Sequence, residues 1–272
     1  MGIKTSSLRL FFGIEIQAPW PENLPSGRII KAEYRHLTLA FLGNLTPEKT
    51  KILLNSDFPK PKDLNFIVGQ SGYFDVCHFL RLRHPRVAAW HACWHGSAIV
   101  NDFQRLLNTW LVQNDYTVDE REWNPHVTLC LQPFEFQAWK KAFEKIPFYT
   151  QTFHLYESMG ELTYKPLLSF SFISPFEEMS HTADMAYLIR GKNTVELYYN
   201  SVTALAFKAP ELLNFLNTKA KIDNIESIIE NLNDAVSQMD IEVGCPFKAV
   251  SYHGEIKQKS PSILEWEMII DV

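Results

Sequence analysis

Residues 36–42 have the sequence HLTLAFL and residues 126–131 have the sequence HVTLCL, and these two stretches decide the predicted fold. In both, polar and apolar side chains alternate with the period of a β-strand. The histidine and the threonine therefore share one face, while leucine or valine occupies the other. We predict two strands that each present an imidazole and a hydroxyl to the same surface.

Apolar patterns on either side of these motifs predict the neighbouring elements. Apolar, aromatic and β-branched residues predict a strand from Leu8 to Ile16. Apolar residues at three- and four-residue steps predict a helix from Ile99 to Gln113, and a short helix is predicted from Phe136 to Ile146. Strands and helices alternate without a dinucleotide-type glycine loop, which favours an α+β fold.

The charge distribution predicts a second domain. The chain has 272 residues and a net charge of −5, which gives no general attraction to nucleic acid. Up to Ser174 there are 18 Lys and Arg against 16 Asp and Glu, whereas from Pro175 onward there are 8 against 15. We therefore predict domains over 1–174 and 177–272, with any nucleic acid bound by the first.

The second domain is predicted to contain two helices and three strands. Each helix begins at a candidate capping box, Asn193 with Glu196 in one and Asp223 with Glu226 in the other. An apolar stripe runs along the second of these helices. The strands are predicted over 182–189, Phe247–Ile256 and Ile263–Val272.

The two His-x-Thr motifs together suit the hydrolysis of a cyclic phosphodiester. A neutral imidazole can take a proton from water, and an imidazolium can give one to the departing ribose oxygen. Threonine hydroxyls can hold the non-bridging phosphate oxygens, so that no metal is required. The simpler alternative is a pair of structural strand histidines beside threonines that favour β-structure.

Four segments in order, LRLFFGIEI, HLTLAFLG, NPHVTLCL and LYESMGELTYKPLLSF, resemble the 2H phosphoesterase superfamily. The likeness covers most of residues 8–174 and is strongest to the LigT-like RNA 2′,3′-cyclic phosphodiesterases. It implies a two-lobed fold whose His-x-Thr strands line a central cleft. It also implies a cofactor-free hydrolase that acts on RNA ends or cyclic nucleotides and leaves a phosphomonoester, the 2′-phosphate by family analogy.

The same resemblance assigns roles to four residues. It implies that His36 is the catalytic acid and His126 the base, and that Thr38 and Thr128 bind phosphate. Family members often carry a basic residue shortly after each motif, where this chain has Ala40 and Leu131. A non-catalytic protein that holds RNA ends for a ligase partner is therefore the alternative function.

Two further groups of residues invite a functional interpretation. Arg81, Arg83 and Arg86 offer phosphate contacts, with a solvated basic turn as the alternative. In the sequence WHACWHG, two histidines at i and i+4 with a cysteine between them would suit a metal on a helical face. Because no glutamate follows the first histidine as in a zincin, and the segment coincides with a core strand of the family, we favour structural packing for His91, Cys93 and His95.

The C-terminal part resembles archease, a small protein that assists the RNA ligase joining 2′,3′-cyclic phosphate ends to 5′-hydroxyls. The likeness lies in residues 181–207, 247–256 and 268–272 and covers about 177–272. It implies a small α+β domain, an RNA ligase partner and a divalent cation, Ca²⁺ or Mg²⁺, bound by Asp184 and Asp271. Two solvated carboxylates at strand ends are the alternative.

The sequence predicts no membrane segment. No apolar run approaches the ~20 residues that a span needs, and Glu15 interrupts the apolar N-terminal stretch. The first six residues fit only the loose N-myristoylation pattern. We therefore expect a cytoplasmic protein without a membrane partner. None of the four cysteines belongs to a C-x-x-C pair, and we expect reduced, buried thiols for the three in strand-like or aromatic surroundings.

Overall fold

A computed structural model describes residues 7–80, 86–96, 98–119, 121–180, 185–217 and 219–272. The strands within these residues are β1 Leu8–Gln17, β2 Arg28–Ile29, β3 His36–Leu45, β4 Ser71–Leu80, β5 Val87–Trp94, β6 His126–Leu131, β7 Pro147–Gly160, β8 Thr163–Ser171, β9 Phe176–Met179, β10 Met185–Gly191, β11 Ala249–Ser260 and β12 Ile263–Asp271. The α-helices are α1 Pro47–Asn55, α2 Ile99–Gln113, α3 Phe136–Lys141, α4 Thr194–Ala206 and α5 Ile225–Val243.

The first eight strands form one antiparallel sheet that closes on itself. The order is β1-β3-β6-β5-β4-β7-β8, β2 pairs with β6, and an additional pairing of β1 with β7 completes the ring. β7 is long enough to pair with β4 through its first residues and with β8 through the rest. The chain is thus a mixed α/β protein with a closed, barrel-like sheet.

Side chains along β1 point alternately into the protein core and to the opposite face of the sheet. Leu10, Phe12 and Ile14 are fully buried and pack with Phe103 and Leu107 of α2, which contribute the apolar face of that helix. The intervening residues of β1, among them Arg9 and Phe11, project to the opposite face. β3 and β6 follow the same alternation, and that face carries the motif histidines.

The last four strands form a second antiparallel sheet in the order β11-β12-β10-β9. Trp266, Met268 and Ile270 alternate along β12 and are buried against α4 and α5. Arg190 of β10 lies opposite Glu265 of β12, and its Nε donates to Glu265 Oε1 at 3.0 Å. This cross-strand pair fixes the register at the end of the sheet.

Helix α4, which packs on the second sheet, contacts the first sheet through buried polar and aromatic groups. Ser71 Oγ donates to Asn200 Oδ1 at 2.6 Å, and Asn200 Nδ2 donates to the carbonyl of Arg190 at 2.5 Å. The ring of His95 stacks on Tyr199 with 5.0 Å between centroids. The second sheet begins at Phe176, close to the predicted boundary, but the division into domains 1–174 and 177–272 stays a prediction.

Most predicted elements agree with the structure, and the helices α3 and α5 differ from their predictions in detail. α3 ends at Lys141, earlier than predicted, and the chain enters β7 at Pro147. α5 is capped by Asn224 with Ser227, not by Asp223 with Glu226, because the Asn224 side chain reaches the Ser227 amide at 2.8 Å. Asn193 caps α4 as predicted. None of the described helices is long and apolar enough to cross a membrane.

Candidate active site

The two motif strands are neighbours in the closed sheet. β3 and β6 are antiparallel, with Leu37 opposite Val127, and both of these side chains are fully buried. Because side chains alternate along a strand, the histidine and threonine on either side of each buried residue face away from this core. The antiparallel register puts His36 on the side of Thr128 and Thr38 on the side of His126.

Both motif histidines are held in the same way by the backbone. His36 Nδ1 lies 2.7 Å from the carbonyl oxygen of Tyr34, and His126 Nδ1 lies 2.8 Å from that of Asn124. A carbonyl oxygen only accepts hydrogen bonds, so Nδ1 carries a proton in each ring. In a neutral ring, Nε2 is then the basic nitrogen, which is the state a general base needs.

Aromatic rings surround His36. Phe11 stacks on it at 4.8 Å between centroids, Tyr164 meets it edge-on at 5.0 Å, and Tyr156 lies at 5.4 Å. Burial, with smaller contributions from nearby His126 and His154, lowers the pKa of His36 to about 4, against the opposing effect of the hydrogen bond to Tyr34. The ring is therefore neutral at pH 7 while the cleft holds no anion.

His126 lies beside two other histidines. His91 of β5 is directly opposite it in the ladder, and the ring centroid of His78 is 5.0 Å from that of His91. Burial lowers the pKa of His126, and the proximity of His78 and His91 lowers it further. The structure thus places imidazoles on three adjacent strands, β4, β5 and β6.

Two cavities meet at the first motif. One, of about 570 Å³, is lined by Thr38, Phe41, Trp123 and His126; the other, of about 290 Å³, is lined by His36, Thr38, Phe41 and Tyr164. Thr38 and Phe41 belong to both linings. Thr128 is half-buried on β6, opposite Ala89 of β5. Strand alternation puts the four predicted residues on one face of the sheet, although Thr128 lines neither of these two cavities. Their roles stay predictions.

Basic side chains reach both cavities. Arg86 lines the cavity of His126, whereas Arg81 and Arg83 lie outside the described residues. Arg9 and Arg28 line the cavity of His36, and the sequence analysis missed both. The alternating pattern of β1 could have identified Arg9, because Arg9 is two residues from Phe11 and projects to the same face of the strand. Arg28 belongs to the two-residue β2, too short to show a pattern.

The segment from His91 to His95 belongs to strand β5 and its end, so the helical basis for a metal there is wrong. His91 Nδ1 lies 2.8 Å from Asp75 Oδ1 and 3.7 Å from Cys93 Sγ. His95 is buried and stacked on Tyr199 instead. Structural packing therefore describes His95, whereas His91 and Cys93 form a polar group with Asp75.

Asp271 lies at the end of β12 next to a lysine. Lys248 Nζ is 3.8 Å from Asp271 Oδ1 and donates to the carbonyl of Val272 at 2.6 Å. The Asp271 side chain is mostly exposed, at 58%. Asp184 lies outside the described residues, so a cation site formed by these two aspartates stays a prediction.

No protein-family model matches the sequence, and no curated protein matches it. Solved structures similar to part of the chain include E. coli LigT complexed with 3′-AMP, at 22% identity and a TM-score of 0.43, covering 61% of this chain and 98% of that chain. A structure described as a phosphoesterase has 22% identity, a TM-score of 0.42 and the same coverage. The protein TT0787 of Thermus thermophilus has 16% identity and a TM-score of 0.43, covering 60% of this chain and 97% of that chain.

Proposed function

We propose that this protein is a phosphodiesterase that opens a 2′,3′-cyclic phosphate at an RNA end or on a nucleotide. The observation that supports the proposal most is the matched fixation of His36 and His126, each through Nδ1 to a backbone carbonyl. Two imidazoles held in this way, on adjacent strands and beside a shared threonine, are the minimal set for acid–base hydrolysis without a metal.

The proposed reaction moves two protons. His126 Nε2 takes a proton from water as the water oxygen forms a bond to phosphorus. The bond from phosphorus to O3′ breaks, and protonated His36 gives its Nε2 proton to the departing O3′, which leaves a 2′-phosphate. Thr38 and Thr128 hold the non-bridging oxygens through their hydroxyls. Afterwards the proton on His126 returns to His36 through solvent.

The lowered pKa of His36 constrains this assignment. An acid must be protonated when substrate is bound, yet burial brings the pKa of His36 to about 4 when no anion is present. The negative charge of a bound phosphodiester favours the imidazolium and raises that pKa. Arg9 and Arg28 line the same cavity and partly oppose this increase. We therefore expect protonation of His36 to accompany substrate binding.

Space for a longer substrate lies next to the cleft. A cavity of about 690 Å³ between α2 and residues 118–119 and 121–123 shares Gln104, Asn108 and Trp123 with the cavity of His126. Sites for small ligands typically have volumes of about 300–1,000 Å³. The cavities of His36 and His126 together fall within that range, so a single nucleotide does not need the additional cavity. This continuity favours an RNA end over a free mononucleotide as the substrate.

The second candidate function is binding without catalysis. Both motif imidazoles have lowered pKa values, and Ala40 and Leu131 stand where a basic residue would strengthen the hold on phosphate. A cleft with these properties can hold an RNA end for another enzyme. The test is incubation of the full chain with adenosine 2′,3′-cyclic phosphate in EDTA, followed by ³¹P NMR. Appearance of a monoester signal supports the enzyme, whereas saturable binding with an unchanged cyclic signal supports the binding protein.

We also propose that residues 177–272 act as an archease-like module that binds Ca²⁺ or Mg²⁺ through Asp184 and Asp271 and docks an RNA ligase. The support is the sequence resemblance and the preference of hard cations for carboxylate oxygen. The ligase and the phosphodiesterase would use the same cyclic-phosphate ends. A docking module on the phosphodiesterase chain would bring both enzymes to one RNA end, where tethering raises their effective concentration without new contacts.

A further inference from the structure

We propose that Asp75, His91 and Cys93 form a binding site for a divalent cation of the zinc type on the surface of the β4–β5 hairpin. One ligand atom from each residue lies within 4.8 Å of the other two. Among the described residues, these three form the group of His, Cys, Asp or Glu side chains whose ligand atoms all lie within this distance of one another. None of its members belongs to either His-x-Thr motif, although His91 lies opposite His126 in the sheet.

A register shift in the hairpin brings the three ligands together. His91 and Cys93 are two residues apart on β5 and so project to one face. β4 pairs Phe74 with Ala92 and Val76 with His91, which leaves Asp75 as the extra residue of a bulge. Bulges re-aim side chains, and here the Asp75 carboxylate turns toward His91.

The separations suit a tetrahedral ion. With metal distances of about 2.3 Å to sulfur and about 2.0 Å to nitrogen and oxygen, tetrahedral angles require roughly 3.5 Å between sulfur and nitrogen and roughly 3.3 Å between nitrogen and oxygen. Cys93 Sγ and His91 Nδ1 are 3.7 Å apart, and His91 Nδ1 and Asp75 Oδ1 are 2.8 Å apart. The second pair must open by about half an ångström. The Asp75 side chain is 37% exposed.

The donor set selects the class of metal. Thiolate and imidazole ligands favour zinc and cobalt, whereas calcium and magnesium prefer oxygen alone. Three protein ligands leave the fourth position to water. The carboxylate and the thiolate together balance the charge of a divalent ion. Lys145 is close enough to Asp75 and Cys93 to interact with them electrostatically. Its ammonium group donates a hydrogen bond to the carbonyl of Leu213 at 2.9 Å.

Binding requires a defined movement of protons. Without metal, burial and the Asp75 carboxylate raise the pKa of the Cys93 thiol to about 12, so that the thiol is protonated. Metal binding forms bonds to Sγ, Nδ1 and one carboxylate oxygen, and the thiol proton leaves to solvent. Nδ1 of a neutral His91 ring becomes free to bind the metal once its proton moves to Nε2 through solvent. The thiol therefore releases one proton for each ion bound.

Titration of the full chain with Co²⁺, followed by absorption, tests the site. We expect one ion per chain, with a near-ultraviolet band from a single thiolate and visible bands of tetrahedral cobalt, all displaced by Zn²⁺. Cys93→Ser should remove the thiolate band, and Asp75→Asn should weaken binding by at least about 10-fold, the lower end of what loss of a supporting partner costs.

Cys77→Ser is the matched control, because Cys77 is a half-buried thiol on β4 outside the cluster. Its cobalt spectrum should equal that of the unmodified chain. The proposal is overturned by the lack of saturable Co²⁺ binding up to millimolar metal. It is equally overturned by a thiolate band that survives Cys93→Ser or disappears in Cys77→Ser. Far-ultraviolet circular dichroism of each variant shows whether a lost band reflects lost folding. Asp75→Asn changes a more exposed side chain and leaves the thiol in place, so its weaker Co²⁺ binding tests the site independently of Cys93→Ser.

Discussion

His36 and His126 make the same hydrogen bond, each from Nδ1 to the carbonyl oxygen two residues earlier in the chain, at 2.7 and 2.8 Å. The partners are backbone atoms, so no side-chain replacement nearby removes them. Both rings are therefore oriented by the same local geometry at the start of β3 and β6. Their surroundings differ, since aromatic rings enclose His36 while His78 and His91 lie beside His126.

The proposed roles of the two histidines predict different responses to an improved leaving group. Sulfur in place of O3′ in a 2′,3′-cyclic nucleotide departs as a thiolate and needs little help from an acid. We expect His36→Ala to recover most of its lost rate with this substrate, whereas His126→Ala stays slow because it lacks the base. The measurement is the rate of each variant relative to the unmodified chain on the oxygen and sulfur substrates. Recovery by His126→Ala alone would show that the roles are exchanged.

Thr38 is predicted to hold a phosphate oxygen through its hydroxyl. Thr38→Val keeps the shape of the side chain and removes the donor. A hydrogen bond to a charged group contributes about 1.5–3 kcal/mol, so we expect kcat/KM to fall by roughly 10- to 100-fold. Thr194→Val, at the start of α4, is the matched control and should leave kcat/KM unchanged. Equal values for both variants would show that Thr38 does not contact the substrate.

Local patterns predicted the motif strands well. The structure has β6 at the predicted bounds of 126–131 and α2 at 99–113. Both carry a strong period, two in the strand and 3.6 in the helix, and both bury the apolar face. α5 was misplaced at its start because Asp223 and Asn224 are both good capping residues, and only the backbone geometry selects Asn224.

Long-range contacts could not be predicted in the same way. Tyr164 and Phe11 enclose His36 only because β8 and β1 are joined through β7 in the closed sheet. Asp75 joins His91 only because of a bulge that no sequence pattern marks. Similarly, His95 was grouped with His91 by spacing, but stacking on Tyr199 of helix α4 decides its surroundings.

Burial of His95 predicts a loss of stability in acid. The pKa of this ring is lowered from 6.5 to about 3, chiefly by burial and also by Lys145, and its Nε2 has no hydrogen-bond partner among the described residues. Above pH 6.5 the ring is neutral in both the folded and the unfolded chain. Between pH 6.5 and 3 only the unfolded chain takes up the proton. The free energy of unfolding should therefore fall by up to about 1.4 kcal/mol for each pH unit because of this ring.

His95→Phe keeps an aromatic ring against Tyr199 and removes the titrating group. Urea unfolding at pH 7, 6, 5 and 4 should show a weaker pH dependence in this variant than in the unmodified chain. His253→Gln, at an exposed position of β11, serves as the control and should retain the original slope. An unchanged slope in His95→Phe would mean that His95 does not remain neutral in the folded chain.

The archease-like module is predicted to bind Ca²⁺ or Mg²⁺ through Asp184 and Asp271. Calorimetric titration of the full chain with Ca²⁺ should give one site, which Asp271→Asn weakens by at least about 10-fold. Lys248→Gln should strengthen binding, because its ammonium lies 3.8 Å from Asp271 Oδ1 and repels a cation. The zinc-type cluster does not interfere with this measurement, since Cys93→Ser should leave Ca²⁺ binding unaltered. No heat of binding at millimolar Ca²⁺ would show that the two aspartates hold no cation.

The most direct test of the two-histidine mechanism is the rate at which four forms of the full chain open a 2′,3′-cyclic nucleotide in EDTA: unmodified, His36→Ala, His126→Ala and the double variant. Each single variant should be on the order of 100-fold slower or more, the scale for loss of a positioned acid or base. Acid and base act in one step, so the double variant should be little slower than the slower single variant. Near-full activity in either folded single variant, or activity abolished by EDTA alone, would contradict the mechanism.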